Sequence, residues 1–267
     1  MKAFAGVCLS VLLVSAIPAS AASTIPDLET EMLVFKYYSP SDGEYRYGAE
    51  FVVFAAADEV YADIPGGSGF ELLEFVGEDD EWYTETDGPM TLGDLQSNME
   101  GGWTLRVVTG SDTYDYTFDV AAVQDGDFLP VPSVTSPSGG ADVNTSHVFT
   151  WDNNDAHVDA DGYQAWLEVG DWEIMNGWMA DGSGGTLPQD GESWSLHGIP
   201  LGDAEFGIGY GVYSGLISNM SVPTGAPDID YWSLVVSGDW AEFTVVPEPM
   251  TLSMLGLGAV ALLRRRR

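Results

Sequence analysis

Tyr114-Asp115-Tyr116-Thr117-Phe118-Asp119-Val120 decides the fold class. Tyr114, Tyr116, Phe118 and Val120 fall on one side of an extended chain, and Asp115, Thr117 and Asp119 fall on the other, as a period of two requires. This is a strand with one wet face. Working outward, 33–38, 50–56, 70–76, 82–84 and 103–109 repeat the strand signature, and 50–56 is apolar enough (Phe51, Val52, Val53, Phe54) to be covered on both faces. One short helix is expected from Thr91, with Asp94 closing a capping box and Leu92 and Leu95 turned inward. Long helical periodicity is absent from the body, so the expected class is all-β.

Between Phe128 and Gly140 three prolines, Pro130, Pro132 and Pro137, fall within eight residues. Proline fixes φ and removes a donor, so a domain boundary belongs here. Beyond it, 146–151, 163–169, 172–178, 194–196, 205–213, 231–236 and 240–245 make about seven short strands, a number that suits a sandwich of immunoglobulin or fibronectin type III kind. The expected organisation is therefore a segment 1–21, a β-sandwich domain over 22–129, a second sandwich over 130–245 and a tail over 246–267.

The formal charge of the 267-residue chain is −34, and five of its eight basic residues, Lys2 and Arg264 to Arg267, lie at the two ends. Only Lys36, Arg46 and Arg106 are basic between Ala22 and Val246. No cluster can neutralise phosphates, which excludes nucleic acid as a partner. Such an acidic body is stabilised by salt or divalent cations that screen its self-repulsion. The sole cysteine, Cys8, sits in the N-terminal apolar segment, so core packing and not disulfides must hold the domains.

The ends carry their own signals. Met1-Lys2 is followed by the apolar run 3–17 and then Pro18-Ala19-Ser20-Ala21, an A-x-A pattern that predicts signal-peptidase cleavage after Ala21, with Ala19 as the other small residue. The chain ends Val246-Pro247-Glu248-Pro249, an uncharged stretch 250–263, and Arg264-Arg265-Arg266-Arg267. The prolines keep the motif extended and accessible. The stretch of 14 residues would reach about 21 Å as a helix, short of a bilayer core of about 30 Å. The arginines would hold its end on the cytoplasmic side.

Pro247-Glu248-Pro249, the apolar stretch and the arginine cluster together resemble the PEP-CTERM sorting signal. The resemblance covers about the last 22 residues. It implies export through the Sec machinery, signal peptidase and an exosortase-type processing enzyme as partners, transient inner-membrane anchoring through the C-terminal helix, and residence in the cell envelope or extracellular matrix with exopolysaccharide or biofilm. The stretch from Pro132 through Phe149-Thr150-Trp151 to Tyr163-Gln164-Ala165-Trp166-Leu167-Glu168-Val169 resembles the opening of a fibronectin type III-like domain.

Two groups of residues in the body are candidate sites. The segment 152–162 concentrates oxygen ligands of the kind Ca²⁺ takes, with Asp152, Asp155, Asp159, Asp161 and the later Glu168 as the candidate set. The alternative is a solvated connection whose Asp and Asn residues serve turn chemistry. Trp172, Trp178 and Trp194 are candidates for stacking on sugar rings, or else core residues. In 205–213, Gly207, Gly209 and Gly211 leave one side of the strand bare, open to a neighbouring sheet or a ligand. His147, His157 and His197 lack zinc spacing, and no nucleophile elbow or phosphate loop occurs.

The expected function is that of an exported, non-catalytic envelope or matrix protein. The alternatives are a Ca²⁺-dependent carbohydrate-binding module and a secreted glycoside hydrolase, which needs two carboxylates about 5 to 9.5 Å apart.

Overall fold

Alternation becomes sheet throughout the described residues. The computed structural model describes residues 28–247 apart from 40–42, 66, 68, 70, 77–80, 87–89, 180–186 and 189. The signal segment and the tail beyond Pro247 lie outside them, as does the expected apolar helix 250–263. Among the described residues no helix is long and apolar enough to cross a membrane. The chain is all-β, with one short α-helix among the described residues.

Up to Val131 the elements are β1 (Leu28–Ser39), β2 (Glu44–Phe54), β3 (Glu59–Asp63), β4 (Glu71–Leu72), β5 (Glu74–Val76), β6 (Glu81–Glu85), α1 (Leu92–Met99), β7 (Gly101–Thr109) and β8 (Asp112–Val120). After it come β9 (Ser133–Ser136), β10 (Asp142–Asn144), β11 (Ser146–Asp152), β12 (Gly162–Val169), β13 (Trp172–Met179), β14 (Ser193–His197), β15 (Gly202–Ser214), β16 (Ile217–Ser221) and β17 (Ile229–Val246). Two units result. The first runs to Val131 and regains 159–161 and 211–237, and the second takes 132–158, 162–210 and the described residues from Gly238 onward.

This division differs from the expected domains 22–129 and 130–245. The first crossing lies two residues from the expected boundary, between Val131 and Pro132, but the chain later returns to the first unit. The physical reason is strand pairing at long sequence separation, since β16 completes the first unit's sheet by setting Ile217 opposite Val120.

In the first unit β16-β8-β7-β3-β4 form one sheet and β17-β1-β2-β6-β5 run in the other. Inward side chains of both meet in one core. Phe51 of β2 lies 5.2 Å from Trp103 of β7 and 5.9 Å from Phe118 of β8, ring centre to ring centre. Burying rings of this size stabilises a sandwich by a few kcal/mol each. The Trp103 indole N–H donates to the Met99 carbonyl at 2.7 Å, which ties the helix to the sheet. The capping box forms as expected: Thr91 Oγ1 accepts from Asp94 N at 3.2 Å, and Asp94 Oδ2 accepts from Thr91 N at 3.4 Å. Leu95 is fully buried beneath it.

In the second unit three strands, β14-β11-β9, face four, β13-β12-β15-β17, with β10 parallel to β17. The face-to-face packing shows in Phe149 of β11, 4.6 Å from Phe206 of β15 and 5.8 Å from Phe243 of β17. Trp151 donates its indole N–H to Tyr210 Oη at 3.0 Å, so both polar groups are satisfied inside the core.

Strand boundaries differ from expectation in two places, and the first is the expected strand 70–76, within which β4 joins one sheet and β5 the other. At the second, the stretches 231–236 and 240–245 are one strand of 18 residues, β17. Gly238 does not break it, because its missing side chain lets the backbone of β15 come close: a Cβ there would sit 3.2 Å from the Ile208 carbonyl oxygen.

Candidate functional site

The acidic segment 152–161 folds as a pair of turns. Asp152 Oδ1 accepts from Asn154 N at 2.9 Å and Asn153 Oδ1 from Asp155 N at 3.0 Å, the side-chain-to-backbone bonds that Asp and Asn make in turns. Asn154 and Asp155 take φ of 51° and 65°, a left-handed conformation these residue types tolerate. Asp161 Oδ2 accepts from Tyr213 N at 2.8 Å.

The candidate Ca²⁺ set is distributed as follows. Asp159 and Asp161 belong to the first unit, and Asp152, Asp155 and Glu168 to the second. Glu168 stands on β12 directly opposite Glu173 of β13. Among the described residues no three His, Cys, Asp or Glu side chains are grouped to hold a metal ion. What the geometry does show is turn chemistry at Asp152 and Asn153, the alternative weighed from the sequence.

The tryptophans separate as well. Trp194 of β14 is 7% exposed and faces the second unit's core opposite Phe149, so it offers no ring to a sugar. Trp172 is half-buried at the turn end of β13, opposite Val169. Trp178 pairs with Tyr163 near the far end of the same strand. The six residue steps from Trp172 to Trp178 span about 20 Å of strand.

The bare side of β15 is covered by the protein itself. A Cβ on Gly207 would lie 2.0 Å from the Trp166 ring, so the indole rests on the glycine backbone. At Gly211 the Leu234 side chain fills the same role at 3.1 Å. Gly207 and Gly211 thus serve close packing of neighbouring strands and not a ligand.

Beside Trp166 lies a group not singled out from the sequence. Burial pushes the Glu205 carboxyl above the usual carboxylate range, the Trp166 indole pulls it back, and Glu168 and Glu242 push it up again. Burial, then Glu168, raises Glu173 in the same direction. No local sequence signal marks Glu205, because acids recur so often in this chain that a single glutamate on a strand does not stand out.

In the first unit, Lys36 Nζ pairs with Asp125 at 2.6 Å and lies 4.6 Å above the Tyr45 ring. Tyr47 Oη donates to the same carboxylate at 2.7 Å. Lys36 and then Tyr47 hold the Asp125 carboxyl below its usual range. Arg106 grips Asp115 through two bonds of 2.7 and 2.8 Å.

Comparison with known proteins adds one specific result. Residues 245–267 match the PEP-CTERM protein-sorting motif, so the chain carries this signal. It points to an exported, cell-surface protein and is associated with exosortase processing. No curated protein matches the chain. Among solved structures, a crystal structure of chicken CNTN1 FN1-FN3 domains aligns with 69% of this chain and 62% of that one, at 7% identity and a TM-score of 0.20. The chain thus spans under two thirds of that structure, and so low a score carries no argument.

Proposed function

We propose that this chain is a non-catalytic protein of the cell envelope or extracellular matrix, delivered by its PEP-CTERM tail and working through its β-sandwich units in association with exopolysaccharide or biofilm. The observation that carries the proposal is the sorting motif over 245–267. The remaining features agree with it. A strongly acidic body suits the outside of the cell, where salt and divalent cations screen its charge.

The second unit acts in this proposal as a fibronectin type III-like spacer or binding module. Support comes from its three-on-four strand arrangement and from the aromatic core of Phe149, Trp151, Phe206 and Tyr210. Pro247, Glu248 and Pro249 would be the processing motif, and Arg264 to Arg267 the cytoplasmic stop, with cleavage of the leader after Ala21.

Mass spectrometry of the mature C-terminus, on protein taken from the native host, tests the proposal. A chain ending near Pro247 to Pro249 is the expected result. An intact Arg267 on the mature surface protein would reduce the tail to a plain anchor and sink the exosortase step.

A further inference from the structure

The outward face of the first unit's β1-β2-β6 sheet gathers five glutamates. Register places Glu31 opposite Val52, Leu33 opposite Glu50, Glu50 opposite Glu85, and both Glu29 and Glu81 opposite Phe54. Residues paired across antiparallel strands share a face, and every second residue returns to it. Glu29, Glu31, Glu50, Glu81 and Glu85 therefore lie on one side. The other side, with Met32, Val34, Ala49, Phe51 and Val53, faces the core.

Two of the five are out of water. Glu31 is 4% exposed and Glu50 2%, between buried Leu33 and Val52. Glu50 Oε2 is a buried atom without a hydrogen-bond partner. An ionised carboxylate there gives up its hydration against at most one hydrogen bond, from the Tyr83 hydroxyl, a loss that the carboxyl group avoids by keeping its proton.

Among the described residues, the groups that share this face with Glu31 and Glu50 are mostly acidic. On β1 the neighbour is Glu29, which accepts from the Trp232 indole of β17 at 3.1 Å. On β6 stand Glu81, Glu85 and Tyr83, whose hydroxyl donates to Glu85 at 2.6 Å. Beyond them Glu74 of β5 sits opposite Tyr83, and β17 adds Asp230. Arg46 of β2 is on the same face, but four residues from Glu50, about 13 Å along the strand, and it pairs with Glu44 at 3.5 Å. Lys36 points to the other face, toward Asp125.

We propose that Glu31 and Glu50 are held as neutral carboxylic acids in the folded first unit, making this sheet face a proton-binding device that loosens when its protons leave in alkaline surroundings. The electrostatics run the same way. Burial first, then Glu29 and Glu81, raise Glu31 to about 8. Burial, then Glu85 and Glu81, raise Glu50 to about 8 against a lowering hydrogen bond from Tyr83. A proton is the counter-charge to infer in place of a metal ion, because no three of these carboxylates converge. The inference does not depend on the sorting proposal.

Carbon-13 NMR of the glutamate side-chain carboxyls in the full-length chain, followed through a pH titration, reads the device directly. Two glutamate signals should titrate near pH 8 in place of the ordinary 4.5. E31Q and E50Q should each remove one of them. Amide exchange in β1, β2 and β6, corrected for its intrinsic pH dependence, should accelerate from mildly acidic to mildly alkaline buffer and stay flat in the double variant. Should a variant fail to fold, the wild-type titration alone decides. All glutamate signals moving in the ordinary carboxylate range would overturn the proposal. So would a shift of these two signals on adding Ca²⁺ at neutral pH, which would assign the counter-charge to a cation.

Discussion

Both units place glutamates on the outward face of a sheet, yet the two faces behave differently. In the second unit Glu168, Glu173 and Glu205 stand on adjacent strands and keep some contact with water. In the first, Glu31 and Glu50 are almost fully enclosed. Both faces carry like charges set directly opposite one another, Glu168 against Glu173 and Glu50 against Glu85. Enclosure separates them: in Glu31, Glu50, Glu173 and Glu205 burial is the leading cause of the raised proton affinity, ahead of neighbouring charge. In a chain with 42 acids, the number of carboxylates says little about chemistry, and their access to water says much.

The largest expected effect tests whether the two cores are equivalent. Phe51→Ala empties the centre of the first unit and Phe149→Ala the centre of the second, each at a cost of about 3–5 kcal/mol. Thermal unfolding with amide-exchange mass spectrometry should localise the first loss to strands β1, β2, β7 and β8 and the second to β11, β15 and β17. Equal loss everywhere from either variant would break the division into units.

Next comes pH, which sharpens the contrast between the faces. Glu31 and Glu50 bind protons more tightly folded than unfolded, so their contribution is fully present below about 4.5 and is lost as pH rises through about 8. Each pKa unit corresponds to about 1.4 kcal/mol, which ranks the effect beside the core deletions. Asp125 has the opposite sign. Lys36 and Tyr47 lower it, so its contribution exists above the ordinary carboxylate range and vanishes on acidification. Denaturant midpoints of the wild type and E50Q, compared with E205Q, should show the alkaline decline flattened by the first substitution more than by the second. A larger flattening in E205Q would contradict the ranking by enclosure.

Gly207→Ala is third. Its new methyl would stand 2.0 Å from the Trp166 ring, and overpacking of this kind costs about 1–3 kcal/mol. Near-ultraviolet circular dichroism should change as the indole moves. Gly110→Ala is the control for a glycine with open space around it, although its φ of 61° carries a small backbone cost of its own. The same spectrum in both variants would mean that the indole does not rest on Gly207.

How much of this was legible in the sequence follows from the range of the interaction concerned. Alternation in 114–120 and the Thr91 box rest on neighbours a few residues apart, and both hold in the structure. The return of 211–237 to the first unit rests on Ile217 finding Val120, which no local pattern encodes. Gly238 carries the signature of a break and serves instead as a point of close strand approach. The candidate sites fared in the same way. Asp152 and Asn153 could be assigned to turn chemistry because the bonds are local, whereas the burial of Trp194 and of Glu50 depends on strands far away in sequence.

The smallest effect asks whether the short helix matters to its unit alone. In Thr91 the hydroxyl accepts from Asp94 N, satisfying one of the N–H groups that a helix start leaves open, and the Asp94 carboxylate returns the bond to Thr91 N. With only eight residues the helix depends on this cap and on the burial of Leu95 and Met99. Thr91→Ala should cost about 1 kcal/mol, while Thr91→Ser keeps the accepting oxygen and should restore nearly all of it. Exchange should quicken in the helix and at Trp103, whose indole hangs on the Met99 carbonyl, and leave β11 and β15 unchanged. If serine failed to rescue, the lost stability would belong to the packing of the threonine methyl and not to the cap.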